Sequence, residues 1–181
     1  MYKATTNGNL NKVEDCYVLI PGGSPSMIEF DNLPDLSDSK SAVYNDEAII
    51  GRSNPLHTYS HSANRTISLT FHFYIVKPSD ADLNLRKLRT IQSAVYPQEG
   101  SGGAPFQPPP ICQIKCGDLL ATGPLCVVLQ NYSVTFPPDV AWWTNGGGKY
   151  CPYKFDVNTS WLVVYTSSDL PFNNRIVQSG R

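Results

Sequence analysis

The twelve residues from Arg65 to Val76, RTISLTFHFYIV, alternate without a break: Ile67, Leu69, Phe71, Phe73 and Ile75 stand against Thr66, Ser68, Thr70, His72 and Tyr74. Side chains on an extended backbone point to opposite faces with period two, so the pattern predicts one long strand with a single buried face. At about 3.3 Å per residue such a strand runs for roughly 35 Å, longer than the core of a small domain needs. It leads directly into the best helical pattern of the chain. A half-buried strand of this length must be covered by further strands or by that helix, which restricts the fold to a layered or rolled β architecture.

At Pro78-Ser79 the period changes from two to about three and a half. Leu85, Leu88, Ile91, Gln92 and Val95 share one face while Arg86, Lys87 and Arg89 lie elsewhere, which predicts an amphipathic helix over about 79–95. Ser79 or Asp80 is placed to cap its first turn, where Asp80 and Asp82 suit the positive end of the dipole, and Tyr96-Pro97 ends it. Further strands are predicted at Cys16 to Ile20, with Met27 to Phe30 as its pairing candidate, and at Ile111 to Cys116, with a partner beginning near Leu119. Two longer ones are predicted at Leu125 to Phe136 and at Tyr153 to Thr166, separated by the turn Gly146-Gly147-Gly148. Asp31 to Ser41 reads as a loop, Ala42 to Pro55 carries no decisive pattern, and residues 98–110 form a Gly- and Pro-rich loop that ends in the stiff Pro108 to Pro110. The expectation is a mainly β fold, an antiparallel β-sandwich or barrel of about seven strands with one helix packed across it. Its organisation is a polar N-terminal arm (1–14), a single β-rich domain (15–166) and a C-terminal tail (167–181).

Only 16% of the 181 residues are charged and the formal net charge is -1, so no basic field gathers nucleic acid, and sequence-specific nucleic-acid binding is not expected. The low charge also fits a surface covered by neighbouring subunits. The stretch MYKATTNGNLNKVED lacks the apolar centre of a secretory leader, and no apolar run approaches the roughly 20 residues that cross a bilayer. A chain made in the cytoplasm, with no membrane partner, is expected. Five cysteines, odd in number and without a C-x-x-C pair, read as reduced thiols packed like small apolar residues. The sequons at Asn64, Asn131 and Asn158 would matter only in a secreted eukaryotic protein.

No serine has a histidine and acid partner by motif, and Gly100 to Gly103 lacks the lysine and following helix of a phosphate loop, so no enzyme, catalytic residue or cofactor is expected. His57, His61 and His72 lack the glutamate of a zinc-protease helix and read as exposed polar histidines rather than metal ligands. Cys112, Cys116 and Cys126 could gather a thiophilic metal or form a disulfide, yet Cys112 and Cys116 carry the apolar phase of a strand. One ligand site suggests itself: Trp142, Trp143 and Tyr150 as faces on which a sugar ring stacks, with Asp139 accepting from its hydroxyls. The same tryptophans suit better the plainer reading, burial against the core or a neighbouring subunit.

The ordered series GRSNPLHTY, RTISLTFHFYIV, LNLRKLRTIQSAVYP, PPPICQIKCGDLL and CVVLQNYSVTF is similar to structural proteins of bacteriophage tails. Specifically, it resembles small baseplate and tail-tube-type proteins, including the tube-initiator group of contractile tails. The resemblance covers approximately residues 50–136 and, more loosely, 153–165. It implies a tail-tube-like fold, a homo-oligomer in the form of a hexameric ring around an axial channel, and sheets of neighbouring subunits joined into a continuous barrel. It further implies other tail and baseplate proteins as partners, assembly in the host cytoplasm and a final place in the virion tail, where the ring initiates or connects the tail tube without doing chemistry. Strands that overhang one subunit's core would then be covered by the next, and sheet edges would be paired by ring closure. The alternative, carried by the tryptophan segment, is a carbohydrate-binding β-sandwich module of a viral fibre or secreted protein.

Overall fold

A computed structural model describes residues 2–4, 10–12, 16–30, 34–99, 106–144 and 150–165. In chain order the first strands are β1 (Tyr2–Ala4), β2 (Leu10–Lys12), β3 (Cys16–Leu19), β4 (Met27–Glu29), β5 (Asp35–Ser39), β6 (Ala42–Glu47), β7 (Leu56–Ser62) and β8 (Thr66–Tyr74). The helix α1 (Pro78–Ser93) follows, then β9 (Gln98–Glu99), β10 (Phe106–Gln107), β11 (Cys112–Cys116), β12 (Leu125–Thr135), β13 (Trp142–Thr144), β14 (Tyr150–Pro152) and β15 (Lys154–Val163). Seven of these form one antiparallel sheet in the order β4-β3-β11-β12-β15-β8-β5, and four two-stranded ribbons accompany it. The fold is thus a mainly β sandwich or barrel with one helix.

The sheet rolls because its two edges are consecutive in the chain. β4 runs antiparallel to β3, β5 runs antiparallel to β8, and strict alternation across the sheet makes β3 and β8 parallel. Strands consecutive in the chain, β4 and β5, thus pair at the two opposite edges of the sheet. The Phe30 and Phe71 rings, 5.3 Å apart, fill the angle.

The alternation is realised on the concave face. Ile67, Leu69, Phe71 and Phe73 of β8 are buried beside Phe155, Val157, Trp161 and Val163 of β15. Burial continues across Val127 of β12, Ile114 of β11 and Val18 of β3. Trp161 is wholly buried and its polar edge is satisfied: Nε1 donates to Thr159 Oγ1 at 2.7 Å, and that hydroxyl donates to the Leu69 carbonyl at 2.9 Å. A buried indole without such a partner would cost on the order of 1–3 kcal/mol. In β12 the register slips between Leu129 and Asn131, so the inward positions change from Leu125, Val127 and Leu129 to Tyr132 and Val134. Continuing the β11 ladder beyond Cys112 leads towards Pro110, Pro109 and Pro108, which lack N–H donors, and pairing ends there.

α1 covers the end of the roll at which β3 and β8 finish. Ala81, Asn84, Leu88 and Ile91 lie on its buried stripe, and Asn84 Nδ2 donates to the Tyr74 carbonyl at 2.9 Å. Its N-cap is Lys77 with Pro78 in the first turn, and Asp80 reaches back to accept from the Lys77 and Val76 amides at 2.8 and 3.2 Å. Asp80 therefore acts three residues inside the cap rather than as the cap, and Lys87, expected off the buried face, is buried.

Three other expectations are corrected. Asp35–Ser39, placed in a loop by its polarity, is the edge strand β5, because an edge that pairs on one side needs only Leu36 turned inward and gains from polar positions that resist stray pairing. The partner of β11 begins at Leu125 rather than near Leu119. β8 does not overhang its core: its inward side chains from Ile67 to Phe73, and Ile75 beyond them, are buried within the same chain. The flanks of the proline-rich loop pair as β9 and β10. The glycine turn at 146–148, the phosphate-loop candidate at 100–103 and the tail at 167–181 lie outside the described residues, as does most of the N-terminal arm.

Two predictions follow from this packing. A Cβ on Gly23 would stand 2.3 Å from Thr90 Cγ2 of α1. Gly23→Ala is expected to cost about 1–3 kcal/mol by overpacking, and Thr90→Ser, which removes that methyl, to restore much of it, as read by urea denaturation of the single and double variants. Burial pushes the Cys112 thiol up to about 11 and the Cys116 thiol, beside Cys16 at 3.7 Å, up to about 12. Both stay protonated in the fold while an unfolded chain loses those protons near pH 9, so their contribution is whole below pH 9 and falls as pH rises towards 11. The expected slope is about 1.4 kcal/mol per pH unit for each thiol. Denaturation midpoints between pH 8 and about 10.5 should show a shallower decline in Cys112→Ala.

Candidate functional site

β6 and β7 form a ribbon whose residues are exposed on both faces along both strands. An isolated two-stranded hairpin is marginally stable in water and ordinarily rests on a third strand or a helix. This one holds itself with cross-strand pairs. The Tyr44 and Tyr59 rings, opposite each other, meet edge to face at 5.8 Å, and His57 Nδ1–H donates to Asp46 Oδ1 at 2.5 Å. At the tip the Arg52 amide donates to the Ile49 carbonyl at 3.2 Å, and Gly51 takes φ 90°, which a type II turn asks of its third residue. Ile50 sits at the apex and is 103% exposed. Val43, Ile49, Leu56 and both tyrosines are exposed with it.

The ribbon is rooted on an ion pair. Asp38 lies just before its first strand and Arg65 just after its second. Arg65 is 6% exposed; its Nε and Nη2 donate to both Asp38 oxygens at 2.6–3.2 Å, and Nη2 also donates to the Leu120 carbonyl at 2.9 Å. The Asp38 hydrogen bond raises the guanidinium pKa above its ordinary value, against the opposing effect of burial. The pair closes the floor of the roll opposite α1 and ties together the two feet of the arm.

At the far end of the long strands a second apolar surface is exposed. Tyr74 ends β8, Tyr153 precedes β15 and Phe136 follows β12, and each is 41–46% exposed. The Trp142 ring lies 6.4 Å from Phe136, and Lys154 Nζ lies 5.8 Å over the Tyr74 ring. Trp142 stands opposite Pro152 and Thr144 opposite Tyr150, which puts Trp142 and Tyr150 on one face of the β13–β14 ribbon and Trp143 with the buried Cys151 on the other. The structure thus divides the expected sugar platform. Trp142 and Tyr150 face outward, Trp143 packs partly buried against the core, and Asp139 is exposed in the preceding turn without a hydrogen bond or ion pair among the described residues.

The histidines are separated too. His57 and His61 lie on the arm, whereas His72 stands on the outer face of β8, its Nδ1–H donating to Asp156 at 2.6 Å and its Nε2 3.4 Å from Asp35. That face carries Ser68, Thr70, Asn158 and Ser160, with Thr70 Oγ1 donating to Asn158 Oδ1 at 2.8 Å. Cys16, Cys112, Cys116 and Cys151 are buried as free thiols, and Cys126 is partly exposed. Among the described residues no helix is long and apolar enough to cross a membrane. The residues that sequence reasoning passed over are those of the arm. Their available signal was the isoleucine pair next to Gly51, flanked by tyrosines on either side. No protein-family model matches this chain, and no curated protein matches it.

The root pair yields an asymmetric prediction. Asp38→Ala leaves a buried cation uncompensated and is expected to cost on the order of 2–3 kcal/mol, reduced from the usual 3–5 by the partial exposure of Asp38. Arg65→Met leaves only a carboxylate that water can reach, so its midpoint in urea should fall less.

Proposed function

We propose that this chain is a structural protein that acts by self-assembly, as a ring component of a bacteriophage tail in the region of the baseplate and tube. The observation that carries the proposal is the β6–β7 arm, exposed on both faces and apolar at its apex, which is a poor structure for a solitary molecule and a good one for a subunit whose neighbour covers it. The order of elements supports it: β8, α1 followed by Tyr96-Pro97, the proline segment before β11, and β12 coincide with the segments that resemble tail proteins. The uncharged Ser, Thr and Asn side chains on the outer face of β8 and β15 suit a polar channel wall. In this role the protein does no chemistry; it sets the geometry on which a tube starts or to which it is joined, together with other tail and baseplate proteins.

A carbohydrate-binding module is the second reading, favoured by the outward faces of Trp142 and Tyr150. Light scattering over a concentration series, with negative-stain images of the same samples, separates the two. The expected result is a closed ring of about six subunits, since head-to-tail contacts close when the rotation permits. A strict monomer whose tryptophan fluorescence titrates with oligosaccharides would overturn the assembly proposal.

A further inference from the structure

We propose that Cys16 and Cys116 are a peroxide-closed pair, two thiols that a small two-electron oxidant joins into a cross-strand disulfide between β3 and β11. The two residues stand directly opposite each other in the antiparallel ladder, with their Sγ atoms 3.7 Å apart. Opposed residues of such a ladder lie about 4.5–5.5 Å apart at Cα, inside the roughly 4.4–6.8 Å that a disulfide spans, so the bond forms without moving either strand. Cys112, by contrast, turns its thiol to the Pro110 carbonyl at 3.5 Å.

The position of the pair supplies both its access and its effect. Cys16 begins β3 and Cys116 ends β11, just before Gly117 turns the chain at φ 52°. β3 meets β11 over four residues and the edge strand β4 over three, against nine between β15 and β8. This is the short-laddered side of the sheet, where local opening costs least. Opening admits hydrogen peroxide, and the bond that follows suppresses further opening. The Cys16 thiolate attacks one peroxide oxygen and becomes a sulfenic acid, and the hydroxide released takes up the proton that Cys16 gave. The Cys116 sulfur then attacks the Cys16 sulfur, and the departing hydroxide leaves as water with the Cys116 proton. Two thiols and one peroxide thus give one disulfide and two waters.

Once closed, the bond resists reduction. Burial pushes the Cys116 thiol up to about 12, so the reduced pair gains nothing by ionising near neutral pH, the reverse of a pair whose thiolate is stabilised. In a reducing compartment the chain folds with both thiols free, and exposure to peroxide then staples residues 100 apart in the sequence.

The test treats the full-length Cys126→Ser chain with hydrogen peroxide in native buffer, alkylates what remains in denaturant and maps linked peptides without reduction. Removing partly exposed Cys126 leaves four of the five thiols and prevents a crosslink through it. Those four should fall to two, with Cys16 joined to Cys116 within one chain. The thermal midpoint should rise by about 5–15 °C. Amide exchange in β3 and β4 should slow by about tenfold or more. The Cys16→Ala, Cys126→Ser chain should show neither the link nor the rise; where it does not fold, peptide mapping of Cys126→Ser alone decides. The proposal fails if the treated native chain keeps both thiols, carries them as sulfinic or sulfonic acids, links either to another cysteine or another chain, or closes the bond without a higher midpoint.

Discussion

The Arg65–Asp38 pair is the interaction on which the arrangement of this molecule depends. It sits where three demands coincide: the floor of the roll must be closed, the Leu120 loop must be held against it, and the chain must leave and re-enter the sheet to build the arm. An apolar contact could fill the floor, but it would not fix direction. A guanidinium offers a planar fork whose hydrogen bonds specify both the distance and the orientation of the strand ends that flank the arm. Burial weakens competition from water on the Arg65 side while Asp38 stays partly hydrated, which limits the desolvation that makes wholly buried pairs costly.

Above that floor the fold is governed by one economy of hydrogen bonding. A seven-stranded sheet has two edges, and here the residues between β4 and β5 carry the chain directly from one to the other. The concave face becomes the core, α1 covers one mouth and the ion pair closes the other. Among the apolar groups that this plan does not bury are those of the arm and those around Trp142.

How much of this was legible varies with the kind of burial. β8, β15, β11 and α1 were readable because each buries one face and leaves the other wet, and that contrast is written as a period. The slip in β12 was written too, as a change in apolar spacing after Leu129, yet an inserted residue looks like a lapse in alternation until the partner strand shows that pairing continues past it. β5 and the arm were not legible as elements. An edge strand with one inward leucine and a ribbon exposed on both faces produce no contrast between their two sides, so periodicity has nothing to report.

The candidate surfaces show the same boundary. By itself the sequence determined that the chain is β-rich, that it carries an amphipathic helix, that its net charge is close to zero, and that aromatic residues cluster near position 142. Only the tertiary structure decided that Trp142 faces outward while Trp143 packs against the core, that β4 and β5 pair at opposite edges of one sheet, and that the arm is rooted at the start of β8 while Tyr74 is exposed at its end. Local pattern reports which residues avoid water. Which of them succeed depends on partners distant in the chain, and those are chosen by sheet register and by the closure of the roll.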